Sequence, residues 1–285
     1  MIEMELNKML SMPVKELKKY SKTGVEILPD KRSVFEHFAR AIADEIKEHN
    51  KKGNPTRIIL PVGPIEQYPI LVDITNREKI RWKDVHTFNM DEYLDWQGRP
   101  VPLDSPFSFE GFMRKNLFEK IDAGLRIPEE NIHFPSPFKI DELSEAIAAV
   151  EGIDTCYGSI GYHGHVAFNE PHYSRWFEIT EEEYRNSLTR VLPIAPDTVV
   201  INSIRGSGGN PTVIPPMAVT IGMKDILASK RIRLYCFDAV FQPTIFRIAL
   251  MGDVSVKYPT TFVQEHPDCI IYADQQTAEP PALTP

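Results

Sequence analysis

The chain reads as a doubly wound α/β domain: a mostly parallel sheet with helices on both faces. Three observations carry this expectation. Short apolar runs bounded by turn residues alternate with stretches of helical period along most of the chain. Two of the runs, Thr56 to Leu60 and Arg231 to Phe237, read as buried strands, which suits a sheet covered on both sides. Three runs also end in polar clusters, at Gly63-Pro64, at Asp91-Glu92 and from His163 to Glu170. Open α/β sheets gather their chemistry at the carboxyl ends of their strands.

The elements follow in order. Residues 1–24 carry Leu6, Met9, Leu10, Val14 and Leu17 at roughly helical spacing, an amphipathic extension laid on the main body or a partner subunit. Residues 25–275 form the single main domain, and 276–285 are its tail. Val25 to Leu28 is an edge strand, and Ser33 to Glu48 a helix with Phe35, Phe38, Ile42 and Ile46 on one face. Thr56 to Pro64 is a strand running into a turn, followed by a short helix from Pro69 to Asn76. Val85 to Met90 is the next strand, with Asp91-Glu92-Tyr93 at its end. A helix starts at Ser108, Pro128 to His133 is a turn, and Ile140 to Glu151 is helical. Ile153 to Tyr157 ends a buried strand before Gly158-Ser159-Ile160-Gly161-Tyr162-His163-Gly164-His165. Glu178 to Arg190 is polar, Thr198 to Ile201 is expected as a strand, and Arg205 to Asn210 as a flexible loop. Met217 to Ile221 (strand), Met223 to Ala228 (helix), Arg231 to Phe237 (strand), Pro243 to Met251 (helix) and Cys269 to Ala273 (strand) complete the domain. The polar, proline-rich end from Asp274 is expected to fray.

Bulk composition excludes more than it assigns. The chain has 285 residues, is 42% hydrophobic and 25% charged, and has a net charge of -8. With no basic cluster against that charge, a nucleic-acid partner is not expected. No apolar run approaches the roughly 20 residues of a membrane span. The first residues lack the basic start and apolar core of a signal peptide, so the cytoplasm is the expected location. Cys156, Cys236 and Cys269 each sit in an apolar run and read as small buried hydrophobes of a reducing compartment.

The polar clusters hold the candidate chemistry. Glycines such as Gly161 and Gly164 let a ligand approach the backbone closely. His163 and His165 belong to the residue type that titrates nearest neutrality. Asp91, Glu92 and Glu170 supply carboxylates for a base and for an orienting partner. Each has a plainer reading: Asp91 and Glu92 as solvated residues after a strand, and Glu170-Pro171 as a helix start.

Two stretches resemble the signature motifs of glucosamine-6-phosphate deaminases: Phe88-Asn89-Met90-Asp91-Glu92-Tyr93 and Gly164-His165-Val166-Ala167-Phe168-Asn169-Glu170-Pro171. Further matches are Ser108-Phe109 with Phe112-Met113 and Asn116, Asn202-Ser203, Val219-Thr220-Ile221-Gly222, and Gln264 with His266-Pro267. The resemblance runs from about residue 25 to 275. It implies a Rossmann-like fold, no redox cofactor, a sugar or sugar phosphate as partner and a homo-oligomer. By the same resemblance, Asp91 matches the base that moves a proton between C1 and C2 of the open-chain sugar. His165 matches the histidine that helps open the ring, and Glu170 the glutamate that orients it. The implied reaction is aldose–ketose isomerisation coupled to release of ammonia. A related lactonase branch lacks the Phe-Asn-Glu-Pro ending carried here by Phe168 to Pro171.

The departures from the pattern are specific. His163 stands where the family's catalytic loop has an aspartate, which removes negative charge beside His165 and disfavours its charged form. His163 is also a candidate substitute proton carrier. At the phosphate loop the chain reads Val62-Gly63-Pro64-Ile65-Glu66; Pro64 removes a backbone donor and Glu66 adds a negative charge. The family's arginine position falls on Ile204, with Arg205 one place late, and its lysine falls near Gln242. Arg205 to Gly209 could form a backbone nest for an anion instead. The family's allosteric cluster is not recognisable around Tyr173 to Thr180. Two rival readings stand beside the deaminase one. In the first, His163, His165 and Glu170 hold a divalent metal for a hydrolase or isomerase; in the second, the chain is a non-catalytic sugar-binding paralogue.

Overall fold

A computed structural model describes residues 5–171 and 178–282. Its strands are β1 (Gly24–Leu28), β2 (Thr56–Leu60), β3 (Val85–Asn89), β4 (Asp91–Leu94), β5 (Ile132–His133), β6 (Thr155–Ser159), β7 (Arg190–Pro193), β8 (Met217–Thr220), β9 (Arg231–Cys236) and β10 (Cys269–Asp274). Seven of them form one sheet in the order β1-β10-β9-β6-β2-β3-β5, and every pairing in it is parallel. The doubly wound architecture is therefore present, with β1 at an edge.

Alternation along the strands splits the core into two layers. Ile59, Phe88, Cys156, Leu234 and Ile271 point to one face. Ile58, Leu60, Tyr157, Tyr235 and Tyr272 point to the other. The second layer is covered by the helices Lys31–Lys52 and Gln67–Glu78, with Phe38 stacked on Tyr235 at 4.0 Å. The first layer is covered by Gln242–Met251 together with the N-terminal helices Leu6–Leu10 and Val14–Tyr20. Cys156, Cys236 and Cys269 are free and buried. Among the described residues no helix is long and apolar enough to cross a membrane.

Several elements differ from the sequence expectation. Asp91 to Leu94 does not end β3 as a loop. It forms β4, which joins β8 and β7 in a separate antiparallel sheet, in the order β4-β8-β7. The chain changes sheets at Met90, whose N–H donates to Leu60 O while its carbonyl accepts from Ile221 N. Thr198 to Ile201 is not a strand but part of the helix Pro196–Gly206. The β-branched run Thr-Val-Val-Ile suggested a strand, but Pro196 at the first helical position is a start signal, and it prevails. Within Pro128 to His133 a short strand, β5, pairs with β3. The tail does not fray at Asp274. That side chain caps the helix Gln275–Ala278, and the fully buried Arg247 donates to the carbonyls of Ala278, Met9 and Met12, tying both ends of the chain to the body.

Candidate active site

The loops after β2, β3, β6 and β9 border one cavity of about 620 Å³ at the carboxyl edge of the parallel sheet. Of the residues singled out in the sequence, Gly63, Pro64, Asp91, Gly161, His165 and Arg205 line it. Glu92, His163, Gly164 and Glu170 stand outside the lining and act on it through neighbours or not at all.

Asp91 and Glu92 are adjacent on β4, so period-two alternation sends them to opposite faces. Glu92 is consumed by structure. Its carboxylate accepts from the backbone of Tyr93 (2.8 Å), Phe109 (2.9 Å) and Glu110 (2.8 Å) and from Ser108 Oγ (3.1 Å), at the N-terminus of the helix Phe109–Asn116. The expectation that it contacts substrate is corrected, because a helix N-terminus with free N–H groups takes the anion first. Asp91 faces the cavity while only 7% exposed, and burial, then the nearby Glu92 charge, hold its carboxyl well above the usual carboxylate range.

The loop after β6 folds back on itself to present His165. Gly161 N–H donates to His165 O at 2.9 Å, and Gly164 N–H donates to Gly161 O at 2.9 Å. A Cβ on Gly161 would lie 1.8 Å from His165 Nε2, so the imidazole needs glycine beneath it. Gly164 turns the loop at φ 74 and packs against Ile245 and Thr260, so its role is to shape the loop. Asn169 fastens the far side of the loop by donating to Val166 O and Ile221 O.

Glu170 lies behind His165, with Oε1 3.6 Å from His165 Nδ1. Its other oxygen accepts from Ala195 N–H. Burial raises the Glu170 carboxyl, against the lowering effect of the nearby Thr198 hydroxyl and the Ala195 N–H. The His165 imidazole is pushed down to about 4, first by burial and then by His163. Protonating His165 at pH 7 therefore costs roughly 4 kcal/mol, and the pair rests as a neutral imidazole beside a carboxyl of raised affinity for a proton.

His163 does not face the cavity. Its Nε2 is 2.7 Å from Asp197 Oδ2, at the start of the helix Pro196–Gly206, and its ring meets Tyr162 edge-on. A role as substitute proton carrier to substrate is therefore corrected. The three-residue metal set is not assembled either: among the described residues no three His, Cys, Asp or Glu side chains converge as ligands.

At the opposite end of the cavity, Ile204 is 62% exposed while Arg205 lines the wall, pairs with Asp238 at 2.9 Å and lies over Phe241. The proposed anion nest is absent. Arg205 and Gly206 are helical, and the N–H groups of Ser207 and Gly209 both bond back to Ser203 O. The region around Tyr173 to Thr180 lies largely outside the described residues. Sequence reasoning missed Tyr93, Phe107, Phe109 and Phe168, an aromatic wall with Tyr93 Oη accepting from Asn202. The place of Tyr93 and Phe168 inside the two motifs, and of Phe109 in the match at Ser108-Phe109, was the available signal; Phe107 had none. Asp197, Thr198 and Asp238 had none, since tertiary folding alone brings them here.

No family model matches the chain. A glucosamine-6-phosphate deaminase of Cronobacter sakazakii is 31% identical over 246 residues, covering 83% of this chain and 85% of that protein. One from Phocaeicola vulgatus is 29% identical over 264 residues, covering 90% and 92%. Among solved structures, a monomeric glucosamine-6-phosphate deaminase of the NagB superfamily superposes with TM-score 0.76 at 23% identity, over 90% of this chain and 99% of that one. A 6-phosphogluconolactonase from Thermotoga maritima shares the fold more distantly, with TM-score 0.64 at 18% identity over 89% and 100%. Identity above 30% over most of both chains, with the two motifs meeting in one cavity, decides the matter: this chain belongs to the glucosamine-6-phosphate deaminase family.

Proposed function

We propose that the chain is an aldose–ketose isomerase that also deaminates an amino sugar at C2, by an enediol-type proton transfer with no cofactor. The observation that carries this reading is the pairing of Asp91 and His165 across one cavity, with Glu170 behind the imidazole. His165, neutral near pH 7, takes a proton from the C1 hydroxyl of the cyclic sugar and returns one to the ring oxygen, which opens the ring. Glu170 offsets the positive charge that develops during this step. Asp91 then removes the C2 proton and redelivers it to C1. The electron pair released at C2–H forms the C1–C2 double bond as the C1=O π pair moves to O1. Protonation at C1, with transfer of one proton from nitrogen to O1, leaves a C1 hydroxymethyl group and an imine at C2. Water adds to that carbon and ammonia leaves, giving the ketose. A carboxylate lifted above its ordinary range is a stronger base at working pH than an exposed one.

The test is hydrogen exchange in D2O, followed by NMR on amino sugars with and without a terminal phosphate. Wild type is expected to incorporate deuterium at the migrating position. Asp91→Asn is expected to keep its fold and lose the exchange by about a thousandfold, within the usual contribution of a positioned base. Exchange at the wild-type rate in that variant would contradict the assignment. Absence of exchange and of ammonia release with every sugar in wild type would favour the non-catalytic reading.

A further inference from the structure

We infer that the end of the cavity away from Asp91 binds an uncharged sugar terminus, so that the substrate is a free amino sugar, and that Asp238 sets this preference. The inference rests on the catalytic reading above and deepens it.

The sheet order gives the direction. Asp91 follows β3, and the loops after β2, β6 and β9 border the rest of the cavity in that spatial order. Three inter-strand steps of about 4.8 Å put the β9 loop roughly 14 Å from the β3 end. With C1 and C2 at Asp91, the remaining carbons run toward β9.

The charged side chains and the amide at that end are already committed or carry the wrong sign for a dianion. Gln242 is 1% exposed. Its Oε1 accepts from Phe237 N (2.7 Å) and Asp238 N (2.8 Å), and its Nε2 donates to Ile160 O (2.7 Å) and Ser159 Oγ (3.3 Å). Two acceptor sites and two donors exhaust a side-chain amide. Gln242 therefore stitches the end of β9 to that of β6 and has nothing left for a ligand. Arg205 is the one Lys or Arg among the described lining residues, and Asp238 holds it at 2.9 Å. Asp238 is itself fixed from behind, since its Oδ1 accepts from Val240 N at 3.0 Å. Glu66, whose carboxylate accepts from Ile65 N and lies 3.9 Å from Lys31 Nζ, adds a negative charge to the wall. A phosphate here would meet the Glu66 carboxylate on the wall with Asp238 behind it, and the two cations nearby, Arg205 and Lys31, each already lie beside one of these carboxylates. A hydroxymethyl group would meet acceptors and the apolar faces of Phe237 and Phe241.

Glucosamine and glucosamine 6-phosphate distinguish the cases, with ammonia release, ketose formation and C2 hydrogen exchange measured for each. The expected result is kcat/KM at least tenfold higher for the free sugar, with inorganic phosphate failing to compete. Asp238→Asn, which frees Arg205 and keeps the bond to Val240, is expected to move the ratio tenfold or more toward the ester. Glu66→Gln, on a surface loop and no risk to the core, is expected to move it the same way by a smaller factor. A wild type that uses the ester as well as or better than the free sugar overturns this inference alone. So does a ratio unmoved in both variants. Exchange with neither sugar overturns the catalytic reading and this inference with it.

Discussion

The two ends of the cavity are made from loops on the same sheet edge, yet they treat charge in opposite ways. At the β3 and β6 end, ionisable groups are buried and left short of partners. Among the described residues, His165 Nδ1 and Glu170 Oε1 have no hydrogen-bond partner, and Asp91 is buried against the Glu92 charge. At the β9 end the charged groups and the amide are matched: Arg205 to Asp238, Glu66 to Lys31, and Gln242 to four neighbours. The first arrangement suits proton transfer, because groups held away from their ordinary protonation range give and take protons readily. The second suits recognition of a neutral group, because nothing there remains to be neutralised.

Substitutions can break or sharpen that contrast. The largest effect is expected at Asp91, where Asn should lower exchange about a thousandfold, or roughly 4 kcal/mol of barrier. Next comes its neighbour. Glu92→Ala leaves the donors of Tyr93, Phe109, Glu110 and Ser108 without an acceptor. A loss of about 3 kcal/mol, seen as a fall in Tm of about 6–12 °C, is expected in thermal unfolding. If Glu92→Ala instead kept its Tm and lost only substrate affinity, the structural role given to Glu92 would be wrong.

A smaller change of opposite sign separates the two carboxylates further. The folded state raises the Asp91 carboxyl, so it holds a proton more tightly than the unfolded chain. That costs stability as pH rises above the ordinary carboxylate value and through the raised one, and the cost is present at pH 7. Asp91→Asn should therefore raise Tm at pH 7 by about 2–4 °C, and the gain should shrink as pH falls toward the ordinary carboxylate value. An equal gain at all pH values would remove burial of the charge as its cause. His165 works the other way. Its folded value of about 4 lies below the unfolded one, so its contribution to stability is lost as pH falls from about 6.5 to about 4. The smallest expected effect is at His163. Replacing His163 by Asp, with Asp197→Asn to avoid two facing carboxylates, should raise the His165 titration point by about one pH unit in NMR. An unchanged titration would mean burial alone sets it.

The catalytic end was legible in the sequence because its residues are local. Asp91 sits in one short motif and His165 with Glu170 in another, and each motif carries the glycines or aromatics that hold it. Glu92 was misread for a related reason. A carboxylate beside a motif residue looks like chemistry until the helix N-terminus that claims it comes into view. The β9 end was legible only as departures from a pattern. What those departures do depends on Asp238 and on the bonding of Gln242, and both come from loops brought together by the fold. The helix at Pro196 shows propensity losing to context, since Val199, Val200 and Ile201 lie half-buried or exposed on a helix whose start supports Glu170 and His163. The parallel sheet itself was readable from period and run length, while of the three-stranded sheet only β8 was, as the run from Met217 to Ile221. β4 and β7 are four residues long, and β7 is half-exposed, too short to separate from loop.

The most direct measurement is a crystal structure with an open-chain amino alditol, the reduced form of glucosamine, bound in the cavity. The account predicts C1 and C2 within hydrogen-bond reach of Asp91, the terminal hydroxymethyl group beside Phe237 and Glu66, and Arg205 still on Asp238. A ligand lying in reverse, or Arg205 released from Asp238 to hold a phosphate when the phosphorylated alditol is used, would contradict it.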